Sequence, residues 1–196
     1  MTTTPTQHPG LLRPDLSGDY QIDAVHSRLG FVARHAMVTK VRGHFGTFEG
    51  AIHADASDIA SSTVSVKIDV ASVDTSNEMR DGHLRTNDFF DVENYPAITF
   101  TSTSVELEDP EHVNVTGDLT LRGVTKSVTI PFEFTGAARD AYDNERIGFE
   151  GSVAVNRKDF GVNWNAPLEA GGVLVSEKVT LEFDISAVKQ GAEASA

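Results

Sequence analysis

The chain is 196 residues long and 39% hydrophobic, which suffices for one domain with a buried core. Its 29 acidic and 16 basic residues give a net charge of -13, which would repel a nucleic-acid backbone or an anionic membrane surface. It has 0 cysteines, which excludes disulfides, thiolate catalysis and cysteine-ligated zinc. We therefore expect no nucleic-acid partner.

The first residues are rich in Thr and Pro and lack the apolar stretch of a secretory signal. No apolar run is long enough to span a membrane as a helix, so we expect no stable membrane insertion. We expect a cytoplasmic protein with a disordered tail over residues 1–17, a folded domain over 18–188 and a flexible tail over 189–196.

Alternation of apolar and polar residues is the main signal in the folded region. It is strict from Val64 to Val70, and because a β-strand points successive side chains to opposite faces, it predicts a sheet with one apolar face. Related patterns predict strands near residues 20–22, 29–33, 41–55, 98–100, 113–121, 128–134, 147–155 and 179–185.

The predicted strand at 41–55 contains an irregularity. Phe45 and Phe48 lie an odd number of residues apart, so both can face the core only if one extra residue is absorbed. Gly46, between them, is where a bulge would cost least.

A short helical insertion follows the strand at 64–70. Ser76-Asn77 predicts the cap of a helix over Glu78 to Arg85, and Asp88 predicts the cap of a further turn over 89–92. On such a helix, Asp81 and Arg85 have the spacing of an ion pair.

Tight turns connect the later strands. Arg122-Gly123 predicts a two-residue turn, and the polar segment Asp140 to Asn144 predicts a hairpin loop. Connections this short favour an antiparallel meander of about eight or nine strands. Eight strands would close into a barrel with room for one small or elongated ligand.

Several segments occur together in an order that resembles one known family, the YceI-like proteins, from about Gly18 to Ala187. The segments are Asp23-Ala-Val-His26-Ser27, Gly43-His-Phe45-Gly-Thr-Phe48-Glu-Gly50, Arg80-Asp81-Gly-His83-Leu84, Asp88-Phe89-Phe90-Asp91, Tyr95-Pro96, Phe100, Gly117-Asp-Leu-Thr120, Arg122-Gly-Val-Thr-Lys126 and Asn156-Arg157-Lys-Asp159-Phe160-Gly161. The resemblance implies an all-β fold: an antiparallel, eight-stranded, lipocalin-like barrel with a short helical insertion. It also implies a polyprenyl or fatty-acyl tail inside the barrel and no established chemistry. Many such relatives carry a signal peptide, which this sequence does not show.

Phenylalanines on the alternating strands are the candidate wall of a lipid tunnel. They are Phe31, Phe45, Phe48, Phe100, Phe132, Phe134 and Phe149. Alternation predicts that they point the same way but not whether opposite walls touch, so the residues alone favour an ordinary packed core. The resemblance to the YceI-like proteins instead favours a tunnel wall for these phenylalanines as a set.

The helical insertion is a candidate lid over the barrel mouth. Its apolar side chains would cover the opening, and its basic side chains could meet a phosphate or another polar head group. The first group is Leu84, Phe89 and Phe90, and the second is Arg80 and His83. The alternative is a purely structural anchor.

Arg157 and Trp164 are further candidates near the end of a strand. An Arg-Asp pair with Asp159 would most often brace a corner. The alternative places Arg157 at the mouth as a second head-group contact, with Trp164 as an amphipathic rim.

Two other kinds of site are disfavoured. His44 and His53 would lie roughly 25–30 Å apart along a strand, so they cannot share an ion, and we expect no metal site. Asp23, His26 and Ser27 are more economically a turn that caps its own backbone than a hydrolytic triad.

We therefore predict a protein, not an enzyme, that binds, stores or carries a long-chain isoprenoid or fatty-acyl amphiphile. It needs no cofactor beyond that bound lipid. The alternatives are an enzyme acting on a lipid or quinone-like substrate, and an interaction domain with a filled core that forms a homodimer along an outer strand face.

Overall fold

The computed structural model describes residues 10–191 and contains eleven strand segments and one α-helix, α1 (Glu78–Arg85). The strands are β1 (Gly18–Ile22), β2 (Arg28–His35), β3 (Thr39–Phe45), β4 (Phe48–Ala54), β5 (Thr63–Asp69), β6 (Val73–Asp74), β7 (Ala97–Asp109), β8 (His112–Leu121), β9 (Val124–Arg139), β10 (Glu145–Asn156) and β11 (Lys178–Lys189). Short 3-10 turns lie at Gly10–Leu12, Pro14–Leu16, Ile59–Ser61, Val70–Ser72 and Arg157–Phe160. No helix between residues 10 and 191 is long and apolar enough to cross a bilayer.

The strands form a closed antiparallel barrel with eight positions. β1 and β2 occupy successive stretches of one position, as do β3 and β4, and β5 and β6, because the members of each pair contact the same neighbouring positions. The ring closes because β1 pairs with both β4 and β11. The predicted antiparallel eight-stranded barrel is confirmed.

The change of register between Phe45 and Phe48 is a break between β3 and β4. Both phenylalanines are buried, as the sequence predicts. At the break, the backbone N–H of Gly46 donates to the Ser72 carbonyl (3.1 Å), and that of Thr47 donates to the Ser72 hydroxyl (3.0 Å). Ser72 thus replaces the ladder partners that the break removes.

The break between β1 and β2 is a self-capping turn. The Asp23 carboxylate accepts from the Val25 N–H (3.0 Å), and the Ser27 hydroxyl donates to the Ser186 carbonyl (3.1 Å) while accepting from the Ser186 N–H (2.9 Å). His26 contacts Asp23, at 2.7 Å. Since the hydroxyl of Ser27 bonds to the backbone of Ser186, these side chains do not form a hydrolytic triad.

The N-terminal residues close one end of the barrel, which we call the lower end. Residues 10–16, assigned above to a disordered tail, form two 3-10 turns because Leu11 and Leu16 are buried in the core. The Leu11 N–H donates to the Pro110 carbonyl in the β7–β8 turn (2.7 Å). Residues 1–9 and 192–196 lie outside the described residues.

An ion-pair cluster holds the β1–β2 turn against the β9–β10 loop. Arg146 donates from Nε to Asp140 (2.7 Å) and from Nη1 to Asp23 (2.7 Å), and all three side chains are largely shielded from solvent. The hydrogen bonds from Arg146, and then from His26, lower the pKa of Asp23 to about 2. Those from Arg146 and Asn144 hold the pKa of Asp140 well below its usual range.

This cluster predicts acid-dependent stability. A carboxyl whose pKa is lowered on folding stabilises the fold above its unfolded pKa, and that contribution is lost as the pH falls through the folded value. We expect the free energy of unfolding to fall between about pH 4 and pH 2, the window set by Asp23. Arg146→Gln should lower stability at pH 7 by about 1–3 kcal/mol and flatten the decline, as measured by denaturant unfolding across pH.

Arg139→Gln is the matched control. Arg139 is 57% exposed and pairs with Asp143 and Glu145, so its loss should change stability much less than Arg146→Gln does. Parallel pH curves for the wild type and Arg146→Gln would contradict the prediction.

Candidate functional site

The barrel encloses a cavity of about 280 Å³. It runs from Leu11 and Leu16 at the lower end to the lid, our name for residues 78–92, at the upper end. Among the described residues, the polar side chains that line it are Ser62 and Arg157. The Ser62 hydroxyl already accepts the Asp55 N–H (3.0 Å), so Arg157 is the distinctive polar group.

Six of the seven candidate phenylalanines line the cavity: Phe31, Phe45, Phe100, Phe132, Phe134 and Phe149. Phe48 does not. It is buried instead in the core cluster that contains Ile22, Leu29 and Ile185. The structure therefore brings most of the set together around one apolar space.

Glycines explain why the interior is not filled. Three of the rings lie against glycines on adjacent strands, and the pairs are Phe31 with Gly43, Phe100 with Gly117, and Phe132 with Gly151. A Cβ at Gly117 would lie 2.5 Å from the Phe100 ring, and one at Gly151 would lie 2.6 Å from the Phe132 ring. The rings can therefore lie against the barrel wall, which leaves space along the axis.

The lid covers the upper end with Leu84, Phe89 and Phe90, all of which line the cavity. The Phe90 ring packs edge-on against Phe45, with 5.8 Å between ring centroids. The predicted helix is confirmed, and the Asn77 side chain caps it by accepting the Arg80 N–H. The predicted helical turn at 89–92 is wrong, because these residues form non-helical turns.

The predicted ion pair between Asp81 and Arg85 is also wrong. Asp81 is buried and accepts from both the N–H and the hydroxyl of Thr75. Arg85 donates to the carbonyls of Ala71 and Val73, both at 3.0 Å. The helix is thus anchored to the chain that precedes it.

The two lid residues predicted to contact a ligand head group form hydrogen bonds outside the cavity instead. Arg80 donates to the Thr75 hydroxyl (2.7 Å), and His83 Nε2 lies 2.7 Å from the Asp88 carboxylate. The ring of Trp164 packs behind the lid, 4.8 Å from His83 and 5.3 Å from Phe89. Arg80, His83 and Trp164 do not line the cavity.

Arg157 is buried at the upper end. It donates to the backbone carbonyls of Ser176 (2.9 Å), Val162 (2.7 Å) and Val175 (3.4 Å). No carboxylate of the described residues, including Asp159, forms an ion pair with it. Burial lowers the pKa of the guanidinium from its usual value.

The other polar side chains of residues 10–191 do not converge on the cavity. His53 contacts Asp19 at 2.7 Å on the outside of the barrel. Between residues 10 and 191, no group of three or more His, Asp or Glu side chains is placed to hold a metal ion.

Comparison with known proteins gives concordant matches. The YceI-like domain family matches residues 20–187. A UPF0312 protein of Staphylococcus aureus (strain MSSA476) is 35% identical over 173 residues, which covers 86% of this chain and 98% of that protein. The crystal structure of Burkholderia cenocepacia BcnA is similar with a TM-score of 0.74 at 25% identity, covering 84% of this chain and 98% of that one. A polyisoprenoid binding domain from Saccharophagus degradans shares the fold, with a TM-score of 0.66 at 19% identity and coverage of 87% and 98%.

The glycine contacts predict a compensated pair of substitutions. Gly43→Ala should lower stability by about 1–3 kcal/mol, because the added methyl group meets the Phe31 ring and forces it toward the cavity. Adding Phe31→Leu should restore most of that loss in denaturant unfolding.

Gly82→Ala provides the control. An added Cβ at Gly82 meets nothing within 4 Å, and this residue lies in α1, so the change should stabilise the protein by about 0.5–1 kcal/mol. A Gly43→Ala protein as stable as the wild type would show that the ring does not need this glycine.

Proposed function

This chain belongs to the YceI-like domain family, and from that premise we propose that its barrel binds a long-chain isoprenoid or fatty-acyl amphiphile and carries it with the tail inside. The single observation that carries the proposal is the cavity itself. Its lining is apolar from the lower end to the lid, with Arg157 as its one charged side chain among the described residues.

An apolar tail fits this lining for a simple energetic reason. Each methylene moved from water into the cavity contributes about 0.8 kcal/mol before the costs of ordering the ligand. Such an interior favours a flexible hydrocarbon over a polar metabolite, whose hydrogen-bonding groups would lack partners. The Saccharophagus degradans domain with the same fold is named for binding a polyisoprenoid, which supports this class of ligand.

We assign the head-group contact to Arg157. Its guanidinium has five N–H donors, and three backbone carbonyls occupy only some of them. Since Arg80 is bonded to Thr75 and His83 to Asp88, these two are less suited to the role. A buried cation without a carboxylate partner favours an anionic or strongly accepting head group.

Native mass spectrometry of the purified protein, followed by solvent extraction, tests the proposal. We expect a co-purifying amphiphile, or uptake of a polyprenyl phosphate and a long-chain fatty acid by protein freed of lipid. Trp164 is the one tryptophan of the chain and packs on the lid residue Phe89, so its fluorescence should change on uptake. Absence of both bound lipid and uptake would reject the function.

A matched pair of variants locates the bound tail. Val66 lines the cavity, and the adjacent Ser65 is exposed on the outer face of β5. Val66→Phe should lower uptake of the bulkier polyprenyl ligand by at least ten-fold because it fills the space, whereas Ser65→Phe should leave uptake unchanged. Equal uptake of the polyprenyl ligand by the two variants would show that the tail does not lie in this cavity.

Arg157 should affect the head group more than the tail. Arg157→Met removes the donor of three backbone hydrogen bonds, so stability should fall by about 1–3 kcal/mol. Binding of a fatty acid should weaken at least ten-fold, and binding of the corresponding alkane should not. Arg157→Lys, which keeps the charge, should restore part of the difference; equal weakening of acid and alkane would contradict the assignment.

A further inference from the structure

The β2–β3 hairpin differs in charge from the rest of the chain. Residues 24–48 contain no Asp or Glu, so all 29 acidic residues lie outside this stretch. The stretch carries four Lys or Arg and three His. Because charges are screened over about 8 Å at physiological ionic strength, a nearby partner responds to this local surface more than to the net charge.

Three basic side chains share the outer face of the hairpin. Arg34 lies directly opposite Lys40, and Arg42 follows on the same face. This face points outward because the alternate residue Phe31 lines the cavity. Like charges opposite one another destabilise a sheet, and the nearest acidic partner is Glu182, 3.8 Å from Arg42. The arrangement leaves exposed positive charge without full compensation.

The turn between the strands exposes two large apolar side chains. Met37 is 55% exposed and Val38 is 74% exposed. Ala36 and Met37 have φ values of 50° and 61°, in the left-handed region that few residues other than Gly, Asn and Asp adopt. The turn is held in place because Ala36 donates to the Leu174 carbonyl (2.8 Å) and Arg34 donates to the Val38 carbonyl (3.1 Å). Strain that holds apolar side chains in solvent is characteristic of a binding surface.

The hairpin tip lies at the upper end of the barrel, beside the lid. His35 and Val175 form an isolated antiparallel β-bridge through their backbones, and the Val175 carbonyl accepts a hydrogen bond from the side-chain amide of Asn165 (2.7 Å). The neighbouring residue, Trp164, packs against Phe89 of the lid. The basic, apolar tip and the cavity end that holds Arg157 therefore face the same side of the molecule.

We propose that this hairpin docks the upper end of the barrel on an anionic lipid bilayer. Arg34, Lys40 and Arg42 lie at the level of the lipid head groups, and Met37 and Val38 enter the interface. Basic side chains beside two projecting apolar side chains are the combination that binds the interface of an anionic bilayer, where charge and apolar insertion act together. The acidic remainder of the chain is repelled, which orients the molecule. The choice of a bilayer rests in part on the proposed function, since a lipid cargo is exchanged with a membrane.

Vesicle co-sedimentation of the full chain tests the docking surface. We expect binding to vesicles of phosphatidylcholine mixed with phosphatidylglycerol, little binding to phosphatidylcholine alone, and release by added salt. Lys40→Gln should weaken partitioning about five-fold, and Val38→Ser should weaken it several-fold. Lys67→Gln on β5 and Val25→Ser in the β1–β2 turn, at the opposite end of β2 from the hairpin tip, are the matched controls. They should leave partitioning unchanged.

The outcomes separate this inference from its rivals. Absence of vesicle binding, equal binding to neutral vesicles, or equal loss in the control variants overturns it. A dimer that Lys40→Gln dissociates, without vesicle binding, assigns the hairpin to a second copy of the chain instead. Circular dichroism confirms that each variant is folded. Docking without tail uptake removes only the proposed function, and uptake without docking removes only this inference.

Discussion

Closing the sheet on itself obliges every strand to keep its apolar residues on the inner face, and the breaks in the barrel satisfy this requirement. At residues 46–47 the register shifts so that Phe45 and Phe48 are both buried. At two of the three breaks a serine replaces lost ladder bonds: Ser72 serves the β3–β4 break, and Ser27 serves the β1–β2 break. The ion-pair cluster around Arg146 holds the β1–β2 break beside β10 and β11, where the first and last strands meet.

Features set by neighbouring residues were predictable from the sequence. Alternation predicted the strands, Asn77 predicted the start of α1, and Arg122-Gly123 predicted a turn in which both residues have positive φ. Features set by distant contacts were not. The hydrogen bond between Asp81 and Thr75 depends on how the helix packs back onto the segment that precedes it. The burial of Arg157 depends on residues 162–176, which cross over it and supply its carbonyl partners. Residues 10–16 are structured because Leu11 and Leu16 pack into a core that only the closed barrel creates.

Whether the core is filled or hollow was the question that alternation left open. Sequence did contain a signal, since Gly43, Gly117 and Gly151 stand at inward positions where the pattern calls for an apolar side chain. Recognising it required knowing which phenylalanine lies across from each glycine, and cross-strand register is a long-range property. Among the described residues, Arg157 is the one charged side chain of the lining, and it lies at the lid end, so the charge is confined to one end of a mainly apolar cavity.

The N-terminal turns also set a length scale. Leu11 and Leu16 close the lower end, and the inward residues of β10 from Ile147 to Val155 span roughly 26 Å along the strand. For the ligand class proposed above, a head group bound at Arg157 and a tail that ends at Leu11 would fix the length of tail that the cavity accommodates. A shorter tail leaves part of the lining unfilled, and a longer one has to fold back or displace the lid. Chain length, more than chemical type, would then distinguish one lipid from another.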